Sequence, residues 1–308
     1  MRITVLYGGP SAEREISLIS GQAVADGLRQ VGHDVRLVDI RPDDLSALDE
    51  PADVIFPVLH GEFGEDGQIQ SILESRNLPF VGSGSEASRI GMDKIATKTR
   101  WQAHQIPTPR WEMVSSENPT IHFPGPWIVK PIASGSSIDV FLCQTEAETR
   151  SAVRKLVLKQ GRCMIEEFIQ GPELTIGLLD GQALPPIRIE TSHRFFDYQA
   201  KYTPGGAKHS FELDLPGPLI QHCKSLVEQA NRAIGARDMA RIDLMIDHRT
   251  QQPYLLEINT IPGFTPLSLL PEAALQSGIL FPQLVNRLVN MAWNRRSNPT
   301  PPKSSLNH

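Results

Sequence analysis

The first third of the chain alternates short apolar runs with segments in which apolar residues recur at helical spacing. Three runs rich in β-branched residues predict strands: ITVLY, DVRLVDI and DVIFPVLHG. Two amphipathic segments predict helices, EREISLISGQAVADGLRQVG and DGQIQSILESRN, and the first of them ends at a glycine. Strands that alternate with helices imply a mostly parallel sheet with both faces covered, so we expect a parallel α/β domain over residues 1–84.

Beyond residue 84 the pattern changes to strands joined by hairpins. A single helix is predicted over SRIGMDKIATKTRWQAHQ, before a strand, a glycine–serine loop and a strand in WIVKPIASGSSIDVFLC. An α+β domain over residues 85–170 is completed by the helix AETRSAVRKLVLKQ and the strand CMIEEFI. The central part of the chain therefore differs in class from the part before it.

A third domain is predicted over residues 171–295, where two hairpins lie on either side of a helix. The hairpins are ELTIGLLDGQALPPIRIE and ARIDLMIDHRTQQPYLLEINTIPGF, the helix between them is LIQHCKSLVEQANRAIGA, and a final helix is FPQLVNRLVNMAWNRR. The segment SHRFFDYQAKYTPGGAKHS has the composition of a loop. Polar, proline-rich residues 296–308 predict a mobile tail.

Composition excludes several classes of function. The 308 residues are 40% hydrophobic and 21% charged, which is typical of a soluble globular protein. A formal net charge of -5 gives no general attraction to nucleic acid or to an anionic membrane, and no apolar run approaches the length of a bilayer span. Three cysteines without metal-like spacing, and no signal-peptide core, favour reduced thiols in the cytoplasm.

Polar side chains interrupt the apolar strand LLEINTIPGF near its end. Because side chains alternate along a strand, Leu255, Glu257 and Asn259 are expected on one face. If the preceding strand pairs with this one in a hairpin, Asp243 lies opposite Glu257 and Arg241 lies opposite Asn259. Opposed carboxylates repel each other unless a cation such as Mg²⁺ lies between them. A solvent-facing hairpin whose arginine neutralises the acids explains the spacing equally well.

A phosphate-binding site is outlined elsewhere in the sequence. Lys130 ends a predicted strand and precedes IASGSS, whose small residues let backbone N–H groups approach phosphate oxygens. Lys94 is a second candidate cation, and Glu166 and Phe168 share a strand face that suits an adenine ring. Pattern alone favours a plain hairpin turn, a solvated lysine and a half-buried edge strand at these positions.

Taken together, six motifs resemble the D-alanine–D-alanine ligases of the ATP-grasp superfamily over nearly the whole chain. The motifs are GGPSAEREISL, HGEFGEDG, GSGSEASRIGMDK, FFDYQAKY, ARIDLM and LLEINTIPGFTPLSLLP. The resemblance implies a three-domain ATP-grasp architecture of mixed α/β and α+β class, with ATP between two antiparallel sheets. It also implies a cytoplasmic homodimer that joins two D-alanine molecules through D-alanyl phosphate, for peptidoglycan precursor synthesis.

The matching motifs imply residue roles. The implied ATP contacts are Lys94, Lys130, Glu166, Phe168, Ile169, Glu173 and Lys201. Two Mg²⁺ or Mn²⁺ ions are implied at Asp243, Glu257 and Asn259. The implied substrate and catalytic residues are Glu15, His60, Ser136, Tyr202, Arg241, Gly263, Ser268 and Leu269. Among them, Glu15 is expected to bind the first substrate's ammonium, and Arg241 with the Gly263 N–H to stabilise an oxyanion.

Some positions depart from the family pattern. Leu267 stands where many members have histidine. Asp139 and Ala240 each stand in place of a glycine, and Ser134 stands in place of a glutamate. The implied lid, DYQAKYTPGGAKHS, keeps Tyr202, which favours a dipeptide product. The alternatives are a ligase that joins D-alanine to D-lactate or D-serine, and a weakly active nucleotide-binding paralogue. A dinucleotide-dependent oxidoreductase is disfavoured because GGPSAE lacks the required glycine spacing.

Overall fold

The computed structural model describes residues 1–133, 135, 138–191, 207–265 and 268–296. Apart from its first residue, the predicted C-terminal tail lies outside the described residues. Within the described part of the chain, no helix is both long and apolar enough to cross a membrane.

A parallel sheet forms the N-terminal part, as predicted. It consists of β1 (Arg2–Tyr7), β2 (Asp34–Asp39) and β3 (Val54–Pro57), in the order β2-β1-β3. Two helices, α1 (Arg14–Gln30) and α2 (Gln68–Ser75), connect and follow these strands. Parallel neighbours need a crossover connection, which explains why the strand and helix patterns alternate in the sequence.

The segment predicted as one helix is two helices, α3 (Ser85–Met92) and α4 (Lys94–Ala103). The break lies at Asp93, whose ψ of 106° is extended and whose carboxylate accepts hydrogen bonds from the backbone N–H groups of Ile95 and Ala96. This is a helix N-cap, which satisfies donors that the new helix leaves unpaired. The prediction of a continuous helix is therefore wrong, and the break makes Lys94 the first residue of α4.

An antiparallel sheet forms the central part. Its strands are β4 (Trp111–Val114), β5 (Trp127–Lys130), β6 (Phe141–Cys143) and β7 (Cys163–Glu167), in the order β4-β7-β5-β6. The helix α5 (Glu146–Gln160) packs on it and begins with a capping box. The predicted strand–loop–strand unit is confirmed as the β5–β6 hairpin.

A second antiparallel sheet forms the C-terminal part, so the predicted combination of one parallel and two antiparallel sheets is confirmed. Its strands are β8 (Glu173–Leu179), β9 (Gln182–Ala183), β10 (Ile187–Thr191), β11 (Ala207–Ser210), β12 (Met239–Ile246) and β13 (Pro253–Asn259). The helices are α6 (Gly217–Ile234), α7 (Leu269–Gln276) and α8 (Phe281–Arg295). The sequence pattern did not predict α7, and it assigned β11 to a loop.

The β12–β13 hairpin pairs as predicted at one end and differs at the other. Asp243 lies opposite Glu257, but Leu244 lies opposite Leu255 rather than Leu256. The extra residue is a β-bulge, which reverses the alternation of side chains along β13. Leu255 is consequently 0% exposed in the core. The prediction that it shares a face with Glu257 is wrong.

One apolar core joins the N-terminal sheet to the C-terminal part. Phe264, which follows β13, is 0% exposed and packs edge-to-face against Phe56 of β3 at 5.7 Å and Phe281 of α8 at 6.3 Å. These two ring contacts fix the loop after β13 against two separate parts of the fold. The buried carboxylate of Asp238, just before β12, accepts hydrogen bonds from both Nη groups of Arg295 at the end of α8.

Candidate active site

Two adjoining cavities lie where the central and C-terminal sheets face each other. The first, of about 660 Å³, is lined from one side by β5 and β7 and from the other by β8, β10, β12 and β13. The second, of about 600 Å³, extends towards the start of α1 and the loop after β13. Lys94, Asp243 and Glu257 line both, so the cavities form one continuous site.

A buried charge cluster forms one wall of the first cavity. The Glu166 carboxylate is 2% exposed and forms ion pairs with Lys98 and with Lys130, the latter at 2.6 Å. Burial alone would raise the pKa of Glu166, but the two lysines hold it below its usual value. Burial lowers the pKa of Lys98 to about 8, against the opposing effect of Glu166. With both lysines charged, the cluster carries one net positive charge.

The acidic side chains of the β12–β13 hairpin also form ion pairs with basic side chains. Arg241 donates from Nε and Nη2 to the two Asp243 oxygens at 3.0 and 2.9 Å. The Thr175 hydroxyl donates to the same carboxylate at 2.5 Å. The Lys94 ammonium lies 3.3 Å from Glu257. The two carboxylates therefore occupy a part of the site where positive charge already stabilises them.

A divalent metal fits the residues present at this end of the hairpin. Asp243, Glu257 and Asn259 all line the second cavity. Carboxylate and amide oxygens are the ligands that a hard cation prefers. No cluster of three histidine, cysteine or carboxylate side chains suited to a metal exists among the described residues. The candidate ligands are thus two carboxylates and one amide, and a metal there would compete with Arg241 and Lys94.

The first cavity collects the predicted nucleotide-contacting residues that the structure describes. They are Lys94, Lys130, Glu166, Phe168, Ile169 and Glu173. Lys201 lies outside the described residues. The wall also includes apolar residues from both sheets, among them Ile128, Val140 and Met245. A flat aromatic ring and a polyanion are accommodated together by such a combination of apolar and cationic surfaces.

The second cavity collects most of the predicted substrate residues. His60, Arg241, Gly263, Ser268 and Leu269 all line it. A Cβ on Gly263 would lie 2.7 Å from the Ser268 hydroxyl, so only glycine fits without displacing that side chain. Ser136, Tyr202 and Leu267, with the lid, lie outside the described residues, except for the lid's last four residues, which form β11.

Glu15, which the sequence predicts to bind substrate, lines neither cavity. It is exposed in the first turn of α1. Glu13, at the N-cap of the same helix, lines the second cavity instead. Its carboxylate lies close to two glycines, since a Cβ on Gly135 would be 2.9 Å from it and one on Gly61 3.1 Å. Positions i and i+2 of a helix are rotated by about 200° about the helix axis, so Glu13 and Glu15 cannot both face the cavity.

His60 presents a buried polar atom to the second cavity. Its side chain is 6% exposed, and Nδ1 lies 4.0 Å from a Glu65 oxygen. Nε2 has no hydrogen-bond partner within the described chain. The other Glu65 oxygen accepts from the Gly61 N–H at 2.6 Å, which fixes this acid beside the histidine. A buried unsatisfied ring nitrogen is costly unless a ligand or water completes its hydrogen bonding.

His209, which the sequence did not single out, also lines the second cavity. It lies on β11, in the segment predicted to be a loop, and its Nδ1 is 2.8 Å from the Glu272 carboxylate. Glu272 belongs to the first turn of α7, which begins at Leu269. The unpredicted elements β11 and α7 thus meet at this end of the site.

Comparisons with known proteins agree with this architecture. The family model described as the D-ala D-ala ligase C-terminus matches residues 95–290, and the D-ala D-ala ligase N-terminus matches residues 41–83. A D-alanine–D-alanine ligase of Gloeobacter violaceus is 39% identical over 300 residues, covering 94% of this chain and 99% of the relative.

Solved structures give the same relationship. A crystal structure of the D-alanine–D-alanine ligase from Bacillus anthracis has a TM-score of 0.86 and 30% identity, covering 96% of this chain and 99% of that one. The same enzyme complexed with ATP gives a TM-score of 0.83 at 28% identity, with coverages of 96% and 99%. The chain belongs to the D-alanine–D-alanine ligase family.

Proposed function

We propose that this chain uses ATP and a divalent cation to join two D-alanine molecules into D-alanyl-D-alanine. The observation that carries the proposal is the continuity of the two cavities, because a lysine-lined nucleotide-sized space opens into a second, slightly smaller cavity at the paired acids. A transferred phosphoryl group and an acceptor carboxylate can meet at that junction. Membership of the family and the likeness to the ATP complex support the same function.

The first step is attack of one D-alanine carboxylate on the γ-phosphate, which two negative charges oppose. Lys94 and Lys130 reduce that repulsion by supplying positive charge at the junction. The proposed role of Glu13 is to bind the ammonium of this D-alanine. Asp243, Glu257 and Asn259 would hold a Mg²⁺ ion, which would further neutralise the phosphate charge. The bond between the γ-phosphate and the β-phosphate breaks as the bond to the carboxylate forms, so the products are ADP and D-alanyl phosphate, an activated acyl group.

The second step joins the amine of another D-alanine to that acyl group and releases phosphate. A tetrahedral oxyanion forms, and its proposed donors are the Arg241 guanidinium and the Gly263 N–H. Ser268 and the N-terminal turn of α7 offer hydrogen-bond donors to the second carboxylate, at the positive end of a helix dipole. Apolar walls keep water from the acyl phosphate.

A coupled assay tests the reaction itself. Wild-type protein with ATP, Mg²⁺ and D-alanine is expected to release phosphate and form D-alanyl-D-alanine. D-Lactate and D-serine, added as competing acceptors, distinguish a dipeptide ligase from one that makes a mixed product. Phosphate release with a mixed product and no dipeptide would favour the alternative acceptor, and ATP binding without turnover would favour an inactive paralogue.

Paired variants test the assignment of the first substrate site. Glu13→Gln removes the cavity carboxylate and is expected to raise the KM for the first D-alanine at least tenfold, since a charged hydrogen bond contributes about 1.5–3 kcal/mol. Glu15→Gln is the matched variant, with the same chemistry two residues away at an exposed position. An effect of Glu15→Gln alone would restore the original prediction from the sequence.

A metal-binding measurement tests the hairpin acids without relying on turnover. Mn²⁺, followed by its electron paramagnetic resonance signal, is expected to bind the wild-type protein in the presence of ADP. Asp243→Asn and Glu257→Gln are each expected to weaken that binding at least tenfold, because each removes an anionic oxygen ligand. Unchanged Mn²⁺ affinity in both folded variants would exclude the proposed metal ligands.

A further inference from the structure

Lys98 is the most deeply buried cation beside the first cavity, yet it lines neither cavity. Its side chain is 0% exposed on α4, and its ammonium forms an ion pair with Glu166. The same ammonium donates a hydrogen bond to the Thr108 hydroxyl. Burial of a lysine is costly unless its charge is compensated, so this arrangement has to be explained.

Thr108 extends the contact from Lys98 to the metal-site hairpin. Its hydroxyl donates to the backbone carbonyl of Leu255 at 2.9 Å, and the Leu255 N–H donates to the Pro107 carbonyl at 2.9 Å. Leu255 belongs to β13, two residues before Glu257. The lysine ammonium therefore links the wall of the first cavity to the strand that carries the candidate metal ligands.

The two oxygens of Glu166 are divided between two lysines. Lys98 contacts Oε1, and Lys130 donates to Oε2 at 2.6 Å. Lys130 lines the first cavity, whereas Lys98 lies behind the carboxylate. Without Lys98, the full charge of Glu166 would be directed at Lys130, and the cluster would change from one net positive charge to none.

We propose that Lys98 is a positioning residue for nucleotide phosphates. It neutralises Glu166 from behind, so that Lys130 keeps its charge available to the polyphosphate, and it holds this wall in register with β13. Each oxygen of Glu166 forms an ion pair with one ammonium group, so Glu166 supports both lysines while it also lines the first cavity. The inference rests on the proposed ATP site but not on ligation.

A pH dependence accompanies this arrangement. The pKa of Lys98 is lowered to about 8 chiefly by burial and in part by Lys130, while Glu166 and Glu257 oppose the shift. As the pH rises through this value, Lys98 loses its proton and the cluster loses its net positive charge. Affinity for a polyphosphate is therefore expected to fall above about pH 8, whereas affinity for an uncharged nucleoside is not.

The decisive experiment compares ADP and adenosine binding by calorimetry in wild type and in Lys98→Met. Methionine keeps an unbranched apolar stem of similar length but has no charge. ADP affinity is expected to fall about tenfold, which corresponds to the loss of about 1.4 kcal/mol, while adenosine affinity changes less than twofold. Lys224→Met, on α6 and lining neither cavity, is the matched control with no expected change.

The pH profile provides the second readout. Wild-type ADP affinity is expected to decrease between pH 7.5 and about 9, and Lys98→Met to lose that dependence. An equal loss of affinity for ADP and for adenosine, or no loss of affinity for either ligand, would overturn the proposal. If Lys98→Met does not fold, Thr108→Val is used instead, because it removes the hydroxyl that orients the ammonium. Thr108→Val must then lower the affinity for ADP more than the affinity for adenosine.

The outcomes separate this inference from the proposed function. A wild-type protein that binds ADP but forms no D-alanyl-D-alanine leaves the role of Lys98 fully testable and refutes only the ligase activity. A wild-type protein that binds no ADP refutes both. A tenfold loss of ADP affinity restricted to the Lys98 variant supports the positioning role whatever the acceptor proves to be.

Discussion

Replacing Phe264 by leucine tests whether core packing positions the loop after β13, which carries the proposed oxyanion donor Gly263. The ring is fully buried and makes two edge-to-face contacts, with Phe56 and Phe281. Each such pair contributes about 0.5–1.5 kcal/mol beyond area burial, so leucine is expected to lose about 2 kcal/mol in total. Unfolding entropy of about 2.1 cal/mol/K per residue gives about 1.5 °C per kcal/mol for the 308-residue chain, so the melting temperature should fall by about 3 °C.

The same substitution is expected to lower turnover in the protein that remains folded. Phe264 directly follows Gly263, and its own N–H donates to the Ser20 hydroxyl at 3.3 Å, so the ring and this bond fix the loop. The Gly263 N–H is the proposed oxyanion donor, so loosening this loop is expected to lower kcat about tenfold at 25 °C. Steady-state dipeptide formation and differential scanning calorimetry measure the two effects.

Phe80→Leu is the matched control, because Phe80 is buried in a separate cluster on the other face of the N-terminal sheet. It should lower the melting temperature without changing kcat. If Phe264→Leu lowers the melting temperature while kcat stays at the wild-type value, the ring does not position the loop and the reasoning fails.

Three further predictions concern single contacts. Asp238→Ala should lower the free energy of unfolding by about 3 kcal/mol, because it leaves Arg295 without its carboxylate partner. Urea unfolding monitored by tryptophan fluorescence measures this change. Gly171→Ala should impair folding or ADP binding, since its Cβ would lie 1.8 Å from the Ile246 carbonyl oxygen and no rotamer relieves a backbone clash. Because Glu166 has a pKa below the usual 4.5, it stabilises the fold fully above that pH and loses this contribution as the pH falls further. Below pH 4.5, wild-type melting temperature should consequently fall more steeply than that of Glu166→Gln.

Local pattern was sufficient to predict the sheets and much of the hairpin that carries the acids. The opposition of Asp243 and Glu257 followed from strand alternation and the position of the turn. The helix α7 was missed because LLPEAALQ carries apolar residues around most of its circumference, so no period distinguishes it. The break at Asp93 was missed because apolar spacing continues across it.

The remaining features of the site depend on distances that sequence does not encode locally. Which of Glu13 and Glu15 faces the cavity depends on the phase of α1 relative to the sheet. The ion pair of Lys98 with Glu166 joins residues far apart in the chain, and the sequence pattern predicted only that Lys98 lies on a helix. Long-range pairing of charges emerges from tertiary packing, so a single sequence predicts the residue types without their partners.

The bulge in β13 makes the length of this strand as important as its composition. Leu256 is the extra residue of the bulge, between Leu255, which is buried in the core, and Glu257, which lines the cavity. Deleting it would leave a regular ladder in which Leu255 and Glu257 keep their partners and their faces, whereas deleting Ile258 would move Asn259 onto the core face. Insertions are expected to be tolerated at the hairpin tip, where residues 248–251 are exposed, so indel scanning should show a permissive turn, a permissive bulge and an intolerant regular part of the strand.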